Sequence, residues 1–208
     1  MPIVIDDIEQ GTQEWFDLKL GIPSASCFDL IVTSTGEKSK SWDKYMDKLV
    51  NEKITRRRSK QWELSAFNRG KEMEPESRDT WELKYRREIT QVAFVFKDER
   101  KLFGCSPDGL VDWEGGAIVD GFETKDAIPR IQYERLLAGV LPAIHHRQVQ
   151  GSLYVCEAER WHFRSYCSGM RPMDIVVERD EKFIKKLADQ LEIFCYELQA
   201  LVDTYKSA

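Results

Sequence analysis

No run in this chain approaches the ~20 consecutive apolar residues a membrane-spanning helix needs. The N-terminus, MPIVIDDIEQG, lacks the basic start and long apolar stretch of a secretory signal. Internal repeats and low-complexity segments are absent, which excludes repeat architectures and biased linkers. Cysteine is sparse. Cys27, Cys105, Cys156, Cys167 and Cys195 are odd in number, scattered and without a C-x-x-C pair, so they suggest neither a disulfide framework nor a zinc site. Most read as small buried apolar residues. Histidine is rarer still. His145 and His146 are neighbours, which on a helix point about 100° apart and cannot share a metal face. His162 sits in a strand-like run, and packing is the simpler reading for all three. These absences predict an intracellular, cytoplasmic protein with no membrane partner.

What is present is ordinary in bulk: 208 residues, 42% apolar and 32% charged, the balance of a soluble globular chain. The length allows one domain, or one domain with an appended helical part, and a proper core. The net charge of −5 argues at first against a polyanionic partner. Its distribution argues differently. Residues 44–101 carry 16 Lys/Arg against 11 Asp/Glu, a local net of +5 that leaves the rest of the chain at −10. The basic part includes TRRRSK (55–60), NRGK (68–71) and KYRR (84–87). Alone, such clusters are most often solvated helix faces. They gain meaning if an acidic site elsewhere has a phosphate to work on.

Apolar spacing predicts helices over 13–21, 24–32 with a serine cap, 42–55 and 66–87, the last with Pro75 inside it. TSTGEKSKS (33–41) is the best mobile-loop candidate. The period then changes, predicting strands over 90–96, 101–106 and 117–124, helices over 131–139 and 143–156, and strands over 160–167 and 174–179. An amphipathic helix, 181 to about 203, closes the chain. The layout is α/β, with a central mixed sheet flanked by helices and a mainly helical N-terminal part (1–88) before the core (89–208).

One constellation exceeds what packing requires. Pro107-Asp108-Gly109 reads as a turn; fifteen positions after Asp108 comes Glu123-Thr124-Lys125. Glu123 and Lys125 are two apart, so on an extended strand they project to the same face. If the strand before Asp108 pairs with the strand through Glu123, both carboxylates reach one point. Two hard carboxylates with room for water make a Mg²⁺ site, and a lysine in reach can stabilise charge developing on phosphorus. That is the equipment of metal-assisted phosphodiester hydrolysis. A surface Glu-x-Lys pair alone would mean little; combined with the Pro-Asp across a strand-turn-strand it favours function.

P-D-(x14)-E-T-K resembles the signature of the PD-(D/E)xK nuclease superfamily, whose core is restriction-endonuclease-like. More narrowly, the chain is similar to the phage lambda exonuclease family of alkaline recombination exonucleases, the YqaJ type. The resemblance extends over EWFDLKLGIPSAS (14–26), RGKEMEPESR (69–78), FKDERKLFGCSPDG (96–109), RQVQGSLYV (147–155) and VVERDEKF (176–183). It implies that Asp108, Glu123 and the backbone carbonyl of Thr124 hold Mg²⁺, for which Mn²⁺ can substitute, and that Lys125 assists the attacking water. Glu74 and Gln148 complete the site, Asp98 matches a further acidic position, and Ser26, with Lys19 and Ser24, meets the terminal 5′-phosphate. Plain alternatives stand beside these: Glu74 is four residues before Arg78, a helix ion-pair spacing; Asp98 suits a hairpin turn; Gln148 suits a solvated helix face; Ser24 and Ser26 suit a helix start. Lys19 stands where the family usually has arginine. The implied activity is 5′-to-3′ degradation of linear double-stranded DNA to mononucleotides, leaving a 3′ overhang. A homotrimeric ring and a single-strand annealing protein are the implied partners, in a bacterial or phage-encoded setting. A DNA endonuclease on the same fold, or an inactive nucleic-acid-binding module, is the competing reading.

Overall fold

Where the sequence pattern suggests one sheet, the chain builds two. The computed structural model describes residues 1–58 and 66–207, with backbone only for 66–72. Ser59 and Lys60 of the first basic cluster, and the side chains of NRGK, lie outside the described residues.

The N-terminal part begins with a strand that its three-residue length hides from any periodicity, β1 (Ile3–Ile5). Helix α1 (Gln13–Leu18) is capped by Thr12, whose hydroxyl accepts from the Trp15 amide at 3.3 Å. The segment expected as a second α-helix is instead a 3-10 helix, Ala25–Leu30, and Ser24 makes no side-chain cap bond to it. Ser24 is drawn into a bridge with Gly104, and its hydroxyl meets Ser26 Oγ at 3.2 Å. The 33–41 loop is folded back by a Val32–Lys38 bridge, and Lys186 clasps it through Glu37 Oε1 (2.8 Å) and the Thr35 carbonyl (3.0 Å). Helix α2 (Trp42–Thr55) buries Trp42, Tyr45, Met46 and Leu49. Helix α3 (Ala66–Tyr85) continues as helix through Pro75 without a break, at the cost of the helical donor to the carbonyl four residues earlier.

The expected strand 90–96 is split between the sheets as β2 (Ile89–Thr90) and β3 (Phe94–Phe96). Side chains take over the main-chain carbonyls at the crossing: Gln10 Nε2 donates to Val92 O and Trp15 Nε1 to Ala93 O, both at 2.8 Å. β1, β3 and β4 (Gly104–Cys105) form a small antiparallel sheet. The larger sheet has the order β2-β5-β6-β7-β8, with β5 (Gly109–Val111), β6 (Asp120–Asp126), β7 (Arg160–Tyr166) and β8 (Met173–Glu178). Only β6 and β7 run parallel, so the sheet is mixed. Helices α4 (Pro129–Ala138) and α5 (Ala143–Cys156) form the crossover between that parallel pair, and α6 (Glu181–Ser207) closes the chain.

Phe28, Trp42 and Leu49 of the N-terminal part share one apolar core with Val149 and Leu153 of α5, Phe163 of β7 and Leu187 and Phe194 of α6. Burial of this joint core holds the helical part and the larger sheet in fixed relation. A smaller cluster of Trp15, Ala93, Phe94 and Phe96 anchors α1 to the small sheet.

Candidate active site at the end of strand β6

The strand that brings Asp108 to Glu123 is the one after it, not the one before. β4, which precedes Asp108, belongs to the other sheet; β5, which follows, pairs antiparallel with β6. Asp108 lies at the mouth of β5, where its amide donates to the Phe122 carbonyl (3.2 Å) and its Oδ2 accepts from the Thr124 amide (2.7 Å). Gly109 is needed for proximity rather than for a left-handed turn: a Cβ there would stand 2.1 Å from Ile89 Cγ2. Gln10, whose Nε2 also donates to the Pro107 carbonyl at 2.8 Å, pins the segment leading into Asp108.

Glu123, Thr124 and Lys125 lie within β6. The alternation of the strand divides them. Phe122 faces α3, with its ring centroid 5.3 Å from that of Trp81, and Thr124 Oγ1 meets Ser77 Oγ on α3 at 2.6 Å. Glu123 and Lys125 take the opposite face, where the Lys125 ammonium donates to Glu123 Oε1 and Gln148 Nε2 of α5 donates to the same oxygen at 2.6 Å. Glu123 is 2% exposed, and its second oxygen, Oε2, is buried with no hydrogen-bond partner among the described residues.

The charges reflect this crowding. Burial, then the neighbouring Glu123, pushes the Asp108 carboxyl well above its usual range, with Glu74 adding to the effect against Lys125 and the Thr124 amide. Burial acts to lower the Lys125 ammonium, but Glu123, Asp108 and Glu74 together outweigh it and raise it. Glu74 reaches the cleft from α3, and its carboxylate also lies 3.5 Å from Arg78 Nη1, the i,i+4 pair its spacing suggested. The set opens into a cleft of about 690 Å³ whose wall also includes Lys19, Ser26, Arg58 and His145.

A buried carboxylate oxygen left without a donor is costly, and a divalent cation would repay it. The donors fit a hard ion: Glu123 Oε2, Asp108 and main-chain oxygen suit Mg²⁺ or Mn²⁺, which binds through one or two carboxylates and keeps waters. Among the described residues no three His, Cys, Asp or Glu side chains gather as a metal cage.

On the wall of the same cleft Lys19 Nζ stacks 3.7 Å from the Trp15 ring centroid. Burial lowers its ammonium to about 7, with Arg58 contributing. The guanidinium of Arg58 lies 4.2 Å from the Phe16 ring centroid. Ser26 is exposed on the wall; Ser24, 7% exposed, stands behind it. Asp98 is elsewhere. It occupies the β3–β4 connection as the hairpin residue of the alternative reading, accepting from the Arg100 amide (3.0 Å) and guanidinium (2.8 Å). Of the basic clusters, KYRR is engaged in structure: Lys84 pairs with Asp174, and Arg87 with Asp112 and Asp120. Sequence reasoning passed over Gln10 and Ser77, took Arg58 only as part of the 55–60 basic cluster, and read His145 as packing. For Ser77 and His145 a signal existed, since each is three residues along a helix from a proposed site residue, Glu74 and Gln148. For Gln10 there was none.

The mixed sheet, whose neighbouring strands β5 and β6 bring two carboxylates and a lysine to one cleft, has the restriction-endonuclease-like fold of alkaline exonucleases. Residues 14–159 match the YqaJ-like viral recombinase domain, and the chain belongs to that family. Among solved structures it is similar to an alkaline exonuclease, LHK-Exo from Laribacter hongkongensis: 26% identity, TM-score 0.81, 94% of this chain and 97% of that one. The same enzyme in complex with dAMP matches at 25% identity with the same TM-score and coverage. A phage-related exonuclease from Haemophilus somnus 129PT shares the fold at 10% identity and TM-score 0.61, over 88% of this chain and 96% of that one. A comparison with curated protein sequences gives no match.

Proposed function

We propose that the protein is a Mg²⁺-dependent exonuclease that degrades linear double-stranded DNA from its 5′ ends, releasing mononucleotides and leaving 3′ single-stranded overhangs for annealing-based recombination. The observation that carries this reading is the buried, unpartnered Glu123 Oε2 beside Asp108, with Lys125 on the same carboxylate. Family membership and the likeness to alkaline exonucleases support DNA as substrate.

Asp108, Glu123 and the Thr124 carbonyl would hold the ion. When bound, it supplies Lewis-acid charge stabilisation on the phosphoryl oxygens and makes a nearby water more acidic. Gln148 holds the Glu123 carboxylate in place through Oε1, leaving Oε2, which would bind the ion, without a partner among the described residues. Lys125 remains an ammonium, because three carboxylates raise it; it orients the attacking water and stabilises negative charge building on phosphorus. Lys19 and Ser26, with Arg58, receive the terminal 5′-phosphate from the wall of the cleft.

The test is cleavage of 5′-labelled linear duplex and of closed circular DNA, with and without Mg²⁺, by the protein and by Glu123→Ala. Mg²⁺-dependent release of labelled mononucleotide from linear DNA alone, lost in the variant, is expected. Cuts in the closed circle would make it an endonuclease; intact DNA in every lane would leave a binding module.

A further inference from the structure

His145 lies one helical turn before Gln148 on α5, and both side chains line the cleft. Arg135 of α4 brings Nη2 to 3.2 Å from His145 Nε2. A guanidinium has N–H groups and no acceptor, so Nε2 must accept and carries no proton. The ring proton therefore sits on Nδ1. Arg135 is itself fixed from below: Nη1 donates to Ser165 Oγ (2.9 Å), and Ser165 Oγ donates to Gln132 Oε1 (2.7 Å). Gln132 Nε2 in turn donates to the carbonyls of Ser165 (3.2 Å) and Arg171 (2.8 Å). Gln132 and Ser165 are fully buried. This relay through α4 and β7 is separate from the hydrogen bonds joining Glu123, Lys125 and Gln148, and it ends on a histidine at the cleft wall.

The ring is also kept neutral. Burial, then Lys125 of β6 and Arg135, lowers the imidazolium to about 3. The Phe163 ring of β7 lies 5.3 Å away. A polar, neutral side chain whose tautomer is set by a buried relay, facing a cleft that would receive phosphates, is a hydrogen-bond donor of constant charge.

We propose that His145 is a further substrate-contacting residue, donating through Nδ1–H to a phosphate oxygen of the bound strand, with Arg135 as the positioning residue that sets its tautomer. The inference rests on the nuclease reading, and two measurements separate their fates. The first is ¹⁵N-imidazole NMR of the protein in EDTA. It is expected to show His145 protonated on Nδ1, a mixture of tautomers in Arg135→Ala, and a shift of the Nδ1–H signal when deoxyadenosine monophosphate is added. An Nε2–H tautomer in the unmodified protein, or no response to the nucleotide, overturns the proposal whether or not DNA is cleaved. The second is hydrolysis of linear duplex by His145 variants. His145→Asn places an amide N–H near the Nδ1 position and should keep most of kcat/KM. His145→Gln, whose N–H falls near Nε2, and His145→Ala should lose roughly tenfold, the scale of one hydrogen bond. Equal rates for the Asn and Ala variants overturn it. Expected NMR behaviour in a protein that cuts no DNA would support the nucleotide contact and sink the exonuclease reading alone.

Discussion

Asp120, at the start of β6, and Asp108, at the mouth of β5, both sit among other charged groups, and their surroundings separate structure from chemistry. Asp120, fully buried, is saturated: Arg87 Nη2 and Arg160 Nε donate to it at 2.8 Å, and His162 Nε2 lies 3.3 Å away. Burial would raise its carboxyl, but these partners bring it below the usual range. Asp108 has the opposite balance and is raised. In the metal-free protein Asp108 therefore binds its proton more tightly folded than unfolded. Stability is lost as pH rises from about the ordinary aspartate value through the elevated folded one. Asp108→Asn should raise the melting temperature in EDTA at neutral pH, with the gain fading below about pH 4, while abolishing hydrolysis. A variant no more stable than the parent at pH 7 would mean that the carboxyl pair is not strained. Lys19 offers a second residue-scale test. Its ammonium, lowered to about 7, is charged below that pH and neutral above it, although the Trp15 face favours the charged form. The preference for a 5′-phosphate over a 5′-hydroxyl end should fall several-fold as pH rises through this value. Lys19→Arg, always charged, should make it flat; a pH-independent preference in the parent would place phosphate recognition elsewhere.

At the scale of elements, β6 works because two helices clamp it from opposite faces. Gln148 of α5 holds Glu123, while Ser77 of α3 holds Thr124, the residue between the carboxylate and the lysine. Ser77 is 1% exposed and lies one turn from Glu74, so its hydrogen bond ties to β6 the same stretch of α3 that carries Glu74. Ser77→Ala strands a buried hydroxyl and should cost about 1–3 kcal/mol, with a fall in turnover as α3 loses its register. Adding Thr124→Val removes the other partner and should restore most of the stability, giving a positive coupling in a double-mutant cycle. Additive losses would show that the two hydroxyls act independently.

For the whole molecule, the homotrimeric ring that the family resemblance implies would appear in light scattering as three copies of 24.3 kDa, at concentrations where DNA is degraded. A monomer active on linear duplex would rule the ring out. The uneven charge along the chain deserves a narrower reading than its sum invites. Lys84, Arg87 and Arg100 are tied to Asp174, to Asp112 and Asp120, and to Asp98 and Glu192. Arg58, by contrast, reaches the cleft.

The sequence by itself determined the α-helices apart from 24–32, the presence of the sheet, and the placing of Glu123 and Lys125 on one strand face. Each rests on short-range rules: the helical repeat of α2 and α6, and the two-residue period that puts Glu123 and Lys125 on one face. The family's Q-V-Q block pointed to Gln148 by resemblance. Only the tertiary structure decided that residues 90–96 divide between two sheets, that β5 rather than β4 delivers Asp108, and that Asp98 belongs to a turn. It also distinguished Asp120, whose partners lower its carboxyl, from Asp108, whose carboxyl is raised, and set Arg135 against His145 Nε2. Those outcomes depend on contacts such as Gln10 with Val92 and Pro107, Ser77 with Thr124, and Arg135 with His145. A carboxylate's charge or a histidine's tautomer is set by whichever groups folding brings within hydrogen-bond reach, and no local period records that choice.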